Sequence, residues 1–213
     1  MMIKKEIDGD LEIFKNEIAA RGELKVGAST TISLYVLPKV LSAFHKKYPL
    51  VKILLINRNS ENVLNALNNY EIDLAVIEGH STLNTLEYKP FITDDIIAVC
   101  SNDSPYGLEP LQITDLMKTP IVMRERGSGT QSVMVKAFEK RNLKMANLNI
   151  IARLGGTEAM KNYLVEDVAI GFLSRRAVEK ELKTGLLREV SIQGFGISRP
   201  FTFANRKGEQ VNG

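Results

Sequence analysis

The segment PIVMRERGSGTQSVMVKAF, residues 120–138, combines an apolar strand, a turn of small residues and a helix. Ile121–Met123 has the apolar character of a buried strand, and residues 126–130 contain the glycine, serine and threonine of a tight turn. Beyond the turn, apolar residues recur at helical spacing, which predicts a helix that buries Met134, Ala137 and Phe138.

This turn has the composition of a capped helix start. Ser128 or Thr130 can cap the helix, and Gly127 and Gly129 allow the backbone to approach whatever lies in front of it. A helix N-terminus carries unpaired N–H groups and a partial positive charge, so it suits a carboxylate or another small oxyanion. A turn capped for stability alone explains a single copy equally well.

The chain contains this strand–turn–helix arrangement twice. Strand centres at Val26, Ile53 and Leu74 are 27 and 21 residues apart by subtraction, and centres at Val122, Ile150 and Ala169 are 28 and 19 apart. Two βαβαβ units of matched spacing predict an α/β protein with two Rossmann-like lobes, each with a largely parallel sheet.

Small hydroxyl residues follow the first strand of both units: Ser29, Thr30 and Thr31 in one, Ser128 and Thr130 in the other. Parallel sheets place ligands beyond the carboxyl ends of their strands, where helix N-termini converge. Gly156 and Thr157 open a further helix in the second unit and add donors there. The repeated turn therefore predicts a cleft between the lobes that holds a small anion.

Several element boundaries can be predicted in the first half of the chain. A helix from residue 30 to about Lys47 has Pro38 in its path, which predicts a kink or a second start just before the proline. Asn59 or Ser60 caps the next helix. Separate strands are predicted at Leu86–Phe91 and Asp95–Cys100. The apolar spacing of the first helix predicts one buried face, formed by Leu34, Leu37, Leu41, Phe44 and Tyr48.

The composition is that of an ordinary globular protein. Of 213 residues, 44% are hydrophobic and 25% charged, and the net charge of +3 is spread among acids rather than gathered into a nucleic-acid stripe. The single cysteine, Cys100, lies in an apolar strand, which predicts a packed thiol and a reducing compartment. No stretch has the length of a membrane span, and the N-terminus has no signal-peptide apolar region.

The first 22 residues carry a thin apolar stripe, Ile7, Leu11, Phe14 and Ile18, spaced four, three and four apart. One interpretation is an amphipathic helix that lies on its own domain. The other is the end of a linker or dimerisation helix.

An ordered set of motifs resembles the effector-binding domain of LysR-type transcriptional regulators, closest to the branch that regulates sulfur assimilation and carbon fixation. These motifs are GELKVGASTT, YVLPKVLSAFHKKYP, EIDLAVIEG, PIVMRERGSGTQ, GGTEAMKNYL, VAIGFLSRRAV and SRPF. The resemblance implies a two-lobed, periplasmic-binding-protein type II fold with two crossover strands. It divides the chain into a linker-helix end (residues 1–22), lobe I (23–95 with 200–213) and lobe II (96–199).

By position, the resemblance implies a pocket for an anionic effector, a sulfate- or phosphate-like oxyanion or a small carboxylate. Either Arg124 and Arg126 supply its positive charge, or they lie at the surface or between domains. Phe172 either walls the cleft or belongs to the core, and Glu78 is solvated or pairs with an arginine. The implied pocket residues are Ser29, Thr30, Thr31, Arg124, Gly127, Ser128, Gly129, Thr130, Gly156, Thr157 and Phe172.

The resemblance also implies a cytoplasmic homodimer, and a tetramer in the full-length parent, with no membrane partner and no cofactor. DNA would be bound only by a winged helix-turn-helix that this sequence does not contain.

Enzyme classes fit the residues poorly. Neither His45 nor His80 has the spacing of a metal site, and Arg126 stands where a nucleophile elbow needs its first glycine. The alternative is an extracytoplasmic solute-binding protein for a small anion, which uses the same kind of cleft.

Overall fold

The computed structural model describes residues 20–79 and 83–208. The predicted stripe from Ile7 to Ile18 lies outside the described residues, as does His80. The chain folds into two compact units that divide between Ile92 and Thr93 and again between Arg199 and Pro200. The first unit consists of the residues up to Ile92 and those from Pro200 onward. The second unit is Thr93–Arg199.

The first unit is built on a sheet in the order β2-β1-β3-β9. β1 is parallel to β2 and to β3, whereas β9 runs antiparallel to β3. Its elements are β1 (Gly22–Ala28), α1 (Thr30–Tyr35), α2 (Leu37–Lys47), β2 (Val51–Asn57), α3 (Ser60–Asn68) and β3 (Leu74–Glu78). It also contains the part of β4 (Leu86–Ser101) that ends at Ile92 and the part of β9 (Ile197–Arg206) that begins at Pro200.

The second unit repeats this plan with the order β4-β7-β5-β6, and β8 pairs with β4. β5 is parallel to β6 and to β7, while β7 and β8 both run antiparallel to β4. The remaining elements are β5 (Ile121–Arg124), α4 (Gly129–Glu139), β6 (Ile150–Leu154), α5 (Thr157–Glu166), β7 (Ile170–Ser174), α6 (Arg175–Thr184) and β8 (Leu187–Val190). The predicted pair of βαβαβ units is therefore confirmed.

Pro38 separates two helices, as predicted. α1 ends at Tyr35 and α2 begins at Leu37, with the proline in its first turn, where the missing N–H costs no intrahelical bond. Leu37 and Phe44 are buried as expected. The prediction that Leu34 is buried is wrong, because its side chain is 41% exposed. Since the helix breaks at Val36, Leu34 does not lie on the apolar face that continues in α2.

The prediction of two strands between residues 86 and 100 is also wrong. β4 is a single strand of 16 residues, Leu86–Ser101, that passes from the first unit into the second. The polar residues Thr93 to Asp95 lie inside this strand, where Asp94 is buried and bonded within the second unit. β9 carries the chain back, so two strands connect the units.

Each unit has apolar clusters on both faces of its sheet. In the second unit, one cluster packs α4 against the sheet through Met134 and Phe138, and another packs α5 through Met160 and Leu164. Cys100 is fully buried in the first of these clusters, and its Sγ lies 2.9 Å from the carbonyl oxygen of Tyr106. The prediction of a packed thiol is confirmed.

None of the helices in the described part of the chain combines the length and the apolar character that a membrane crossing needs.

Candidate functional site

The turn after β5 forms a capped helix start. Ser128 is the N-cap of α4, and its Oγ accepts a hydrogen bond from the backbone N–H of Gln131 at 3.5 Å. Gly127 has φ of +81°, a conformation that favours glycine. Ser128, Gly129 and Thr130 are all buried. The turn thus presents the first N–H groups of an 11-residue helix, which have no intrahelical acceptor.

Arg124, at the end of β5, is a buried cation with only 2% exposure. Its Nε and Nη2 donate to the two carboxylate oxygens of Glu125 at 2.8 and 2.9 Å, and its Nη1 donates to Thr157 Oγ1 at 3.1 Å. The interpretation as a surface arginine is therefore wrong for Arg124. Arg126, by contrast, is exposed.

Glu125 places a carboxylate at the start of α5. Its Oε2 accepts the backbone N–H of Gly156, the N-cap residue of that helix, at 3.3 Å. Partial burial alone would raise the pKa of the Glu125 carboxyl, but the hydrogen bonds and charge of Arg124 outweigh burial and hold its pKa below the ordinary value. The protein's own carboxylate thus occupies the position that Gly156 and Thr157 were predicted to offer to an external anion.

The equivalent turn of the first unit also contains a carboxylate. Thr31 donates its backbone N–H to Glu78 Oε1 at 3.2 Å, and Glu78 is only 4% exposed. The interpretation of Glu78 as a solvated residue is therefore wrong. Thr30 and Thr31 are buried in the first turn of α1, so any anion at this turn shares its surroundings with a carboxylate.

Ser29 differs from Ser128 although both precede a helix. Its backbone N–H donates to the carbonyl of Val76 at 2.9 Å, but its side chain makes no capping bond. Within the described part of the chain, Ser29 Oγ is buried and has no hydrogen-bond partner. A buried hydroxyl without a partner lowers stability by about 1–3 kcal/mol. A group that forms a hydrogen bond with Ser29 Oγ would therefore be stabilising.

A buried network in the second unit was not predicted from the sequence. Arg199 is 1% exposed, and its Nε and Nη2 lie 3.1 and 3.0 Å from Asp94 Oδ2. Its Nη1 donates to Thr130 Oγ1 at 2.8 Å, in the first turn of α4. Asp94 and Arg199 are 105 residues apart in the chain, so no local pattern relates them. Both strands contain other polar residues as well, so the sequence does not single out these two.

Phe172 belongs to the core of the second unit. It is buried in β7 and makes edge-to-face contacts with Phe138 and Phe195, at centroid distances of 5.6 and 6.1 Å. These contacts are those of a core aromatic.

The structure thus brings Arg124, Glu125, Gly156 and Thr157 together at one helix start, and Thr130, Arg199 and Asp94 at another. Among residues 20–79 and 83–208, no group of three or more histidine, cysteine, aspartate or glutamate side chains is arranged to hold a metal ion. The chemistry offered is that of hydroxyls, backbone N–H groups and buried guanidinium ions, which suits binding of a small anion.

Comparison with known proteins decides the family. The profile of the LysR substrate binding domain matches residues 19–212, nearly the whole chain. The chain belongs to this family. The motifs quoted above are therefore those of a LysR substrate-binding domain, and the resemblance seen in the sequence is confirmed.

Two curated relatives of this LysR domain are named as transcriptional regulators. The chain is 30% identical over 196 residues to the HTH-type transcriptional regulator CysL of Bacillus subtilis. This alignment covers 90% of this chain and 64% of CysL. It is also 30% identical over 171 residues to the uncharacterised HTH-type regulator YeiE of Escherichia coli K12, covering 80% of this chain and 57% of YeiE. The chain therefore spans less than two thirds of the length of these relatives.

A solved structure confirms the fold. The regulatory domain of CcmR from Synechocystis PCC6803, described as a complex with 2-PG, superposes with a TM-score of 0.79 at 28% identity and covers 89% of each chain. The predicted two-lobed, periplasmic-binding-protein type II fold is that of LysR effector-binding domains.

Proposed function

We propose that this LysR domain senses a small oxyanion at the start of α4 and thereby regulates transcription in its parent protein. The observation that carries the proposal is the bond from the buried Arg199 guanidinium to Thr130 Oγ1 in the first turn of that helix. The positive end of α4 and a buried cation thus lie together.

The other predicted helix starts are less suited to an added anion. The start of α1 has the Glu78 carboxylate bonded to Thr31, and the start of α5 has the Glu125 carboxylate bonded to Gly156. A second negative charge at either position would meet like-charge repulsion. At the start of α4, the capping group Ser128 Oγ is neutral, and the Asp94 carboxylate is bonded to the Arg199 guanidinium, which carries the opposite charge.

The hydroxyls at the start of α4 have the right polarity for an anion. Arginine has donors and no acceptor, so Thr130 Oγ1 is the acceptor in its bond to Arg199, and its own O–H proton is directed elsewhere. Charge-assisted bonds from N–H and O–H groups to an oxyanion are about twice as strong as neutral ones. A sulfate- or phosphate-like oxyanion, or a small carboxylate, is the ligand class that this set of donors fits.

The comparisons support a small-molecule effector. CcmR, the solved relative at 28% identity, is described with 2-PG bound, and the regulatory domains share the fold. CysL and YeiE are named HTH-type transcriptional regulators, and we extend to this chain a role in transcription regulation with DNA bound through a separate helix-turn-helix segment. We further propose that the chain is cytoplasmic and pairs with a second copy of itself. Light scattering of the purified chain tests the pairing, since a monomeric mass at micromolar concentration contradicts it.

The test of the oxyanion site is ligand-dependent stabilisation at constant ionic strength. Sulfate, thiosulfate, phosphate, 2-PG, O-acetylserine and dicarboxylates are compared by thermal shift, and binding is quantified by calorimetry. A ligand at 100 times its Kd stabilises the native state by about 2.7 kcal/mol, which is readily measured. We expect Thr130→Val to weaken binding by about tenfold or more, because a valine neither donates to the anion nor accepts from Arg199.

Thr119 supplies the matched control. It is a buried threonine of the same unit, and its Oγ1 donates to the carbonyl of Asp115 at 2.9 Å. Thr119→Val therefore removes a buried hydroxyl without touching α4, and it should lower stability but keep the affinity. The proposal fails if none of these anions binds, or if Thr130→Val binds them as tightly as the unsubstituted chain.

A further inference from the structure

We propose that Arg199 is a positioning residue that couples occupancy of the α4 site to the two strands connecting the units. This inference rests on the proposed oxyanion site and concerns its regulation. Arg199 lies in β9 and is the last residue of the second unit, whereas Asp94 lies in β4 and is the second residue of that unit. Their ion pair therefore joins the two points at which the chain enters and leaves the second unit.

The guanidinium of Arg199 bonds in two directions at once. Nε and Nη2 hold Asp94 Oδ2, while Nη1 holds the hydroxyl of Thr130. The guanidinium is planar and rigid, so a displacement that improves one set of bonds changes the other. An anion at the start of α4 attracts this cation, and any shift toward the anion loosens the bonds to β4.

Asp94 has a second set of donors that keeps its charge compensated when Arg199 moves. Its Oδ1 accepts from Ser174 Oγ at 2.7 Å, and Arg176 Nε lies 3.5 Å from the same oxygen. Ser174 is the N-cap residue of α6, and Arg176 lies in the first turn of that helix. Both sets of bonds are made at once in this structure, so the carboxylate keeps its bonds to α6 when a bond to β9 lengthens.

Burial makes this network an effective link. The side chains of Asp94 and Arg199 are 0% and 1% exposed, so water does not replace a bond that lengthens. Interactions between charges are stronger in such surroundings than at the surface, and the loss of one partner is costly. Coupling between sites is carried by contiguous networks of bonded side chains, and the bonds from Thr130 through Arg199 to Asp94 form such a network.

Hydrogen–deuterium exchange of the purified chain tests the coupling. Sulfate, inorganic phosphate and 2-PG are added in separate arms at constant ionic strength, and affinity is measured on the same samples. Binding at the start of α4 should change exchange about threefold or more in peptides that cover residues 92–97 and 197–202. In Arg199→Lys the ammonium retains the charge but cannot bond to Asp94 and Thr130 together, so the exchange response should be lost when variant and parent are compared at equal occupancy of the site.

Two further variants complete the design. Arg141→Lys is the matched control: Arg141 is an arginine of the same unit that lies over Phe195 and bonds to the carbonyls of Ala137 and Gly194, so binding and response should both be unchanged. Ser174→Ala leaves both bonds of Arg199 in place and removes the Ser174 donor to Asp94. It should reduce the response of residues 92–97 by about half, and it provides the test if Arg199→Lys does not fold.

The outcomes separate the two proposals. If the parent chain binds none of the three anions, the oxyanion site and the coupling both fail. If the parent binds but the exchange of these strands does not change, or if Arg199→Lys or Ser174→Ala responds as the parent does, the coupling alone is overturned. Binding with a response that both variants diminish supports the coupling.

Discussion

The guanidinium of Arg124 is held by the carboxylate of Glu125, its neighbour in the chain, with Nε–Oε2 and Nη2–Oε1 distances of 2.8 and 2.9 Å. Adjacent residues of a regular strand point to opposite faces, and this pair meets because β5 ends at Arg124. The same carboxylate accepts the N–H of Gly156, so it links the ends of β5 and β6 to the start of α5.

Glu125→Gln should lower stability at neutral pH by about 2–3 kcal/mol, because it removes a negative charge that is paired with the buried Arg124. The pKa of Glu125 in the folded state lies below the ordinary value of 4.5. The stabilisation that ionised Glu125 adds to the folded state is therefore complete above pH about 4.5, and it is lost as the pH falls through the folded-state pKa. Urea unfolding of parent and variant between pH 7 and pH 3 should show a difference that shrinks at the acid end.

The exposed Glu139 provides the control for this series. Glu139→Gln should change the free energy of unfolding by less than about 0.5 kcal/mol across the same range. A Glu125→Gln penalty that persists undiminished at pH 3 would contradict the assignment.

The start of α3 provides a pair of adjacent substitutions with opposite expected results. Asn59 Oδ1 accepts the backbone N–H of Asn62 at 2.9 Å, so Asn59→Ala should cost about 1 kcal/mol. Ser60 is buried, and its Oγ has no partner within the described part of the chain, so Ser60→Ala should be neutral or stabilising. Thermal unfolding of both variants, with Asn59→Asp as the variant that keeps an acceptor, measures the contrast; equal losses would contradict it.

Lys161 is a buried ammonium ion between α5 and α6. Its Nζ lies 2.9 Å from Glu181 Oε1 and 3.1 Å from Glu158 Oε1, and it donates to the carbonyl of Ala177. Lys161→Met should cost about 3 kcal/mol or more, because Glu181 is only 13% exposed and would keep its charge without a partner. The double variant with Glu181→Leu should recover most of this loss.

A double-mutant cycle by urea unfolding gives the coupling energy directly. If the double variant is as unstable as the sum of the two single ones, the two side chains act independently and the prediction is wrong.

Gly171 in β7 faces α5 at close range. A Cβ at this position would lie 2.5 Å from Leu164 Cδ1 and 3.1 Å from Met160 Cε, and both of these residues are fully buried. Gly171→Ala should therefore destabilise the protein by about 1–3 kcal/mol through overpacking. Gly155→Ala is the control, since nothing lies within 4 Å of its added Cβ, and unfolding midpoints that fall equally would contradict the packing argument.

Apart from β4, which was predicted as two strands, the order of strands and helices was predictable because it depends on local patterns. Apolar runs, a capping serine at Ser128 and the proline at Pro38 act within a few residues of themselves. The matched spacing of two strand–turn–helix repeats then predicted two units with parallel sheets, which the structure confirms.

The electrostatics of the site were not predictable in the same way. Glu78 and Arg124 end strands whose other residues are apolar, so their polarity suggested exposure, whereas both are buried beside polar partners. The pairing of Asp94 with Arg199 depends on two strands that are distant in the chain. Such partners follow from the tertiary fold, and only their residue types are visible in the sequence. The start of α4 differs from the other two helix starts because the carboxylates of Glu78 and Glu125 accept backbone N–H groups at the starts of α1 and α5.

The burial of Cys100 makes the protein suitable for site-directed spectroscopy. It is the only cysteine in the sequence, and it lies fully enclosed in the core of the second unit. A maleimide reagent should therefore spare it in the native state, and a cysteine introduced at an exposed position such as Arg126 should be the only one to react. A fluorophore or spin label attached there would report on the start of α4 in an otherwise unmodified chain.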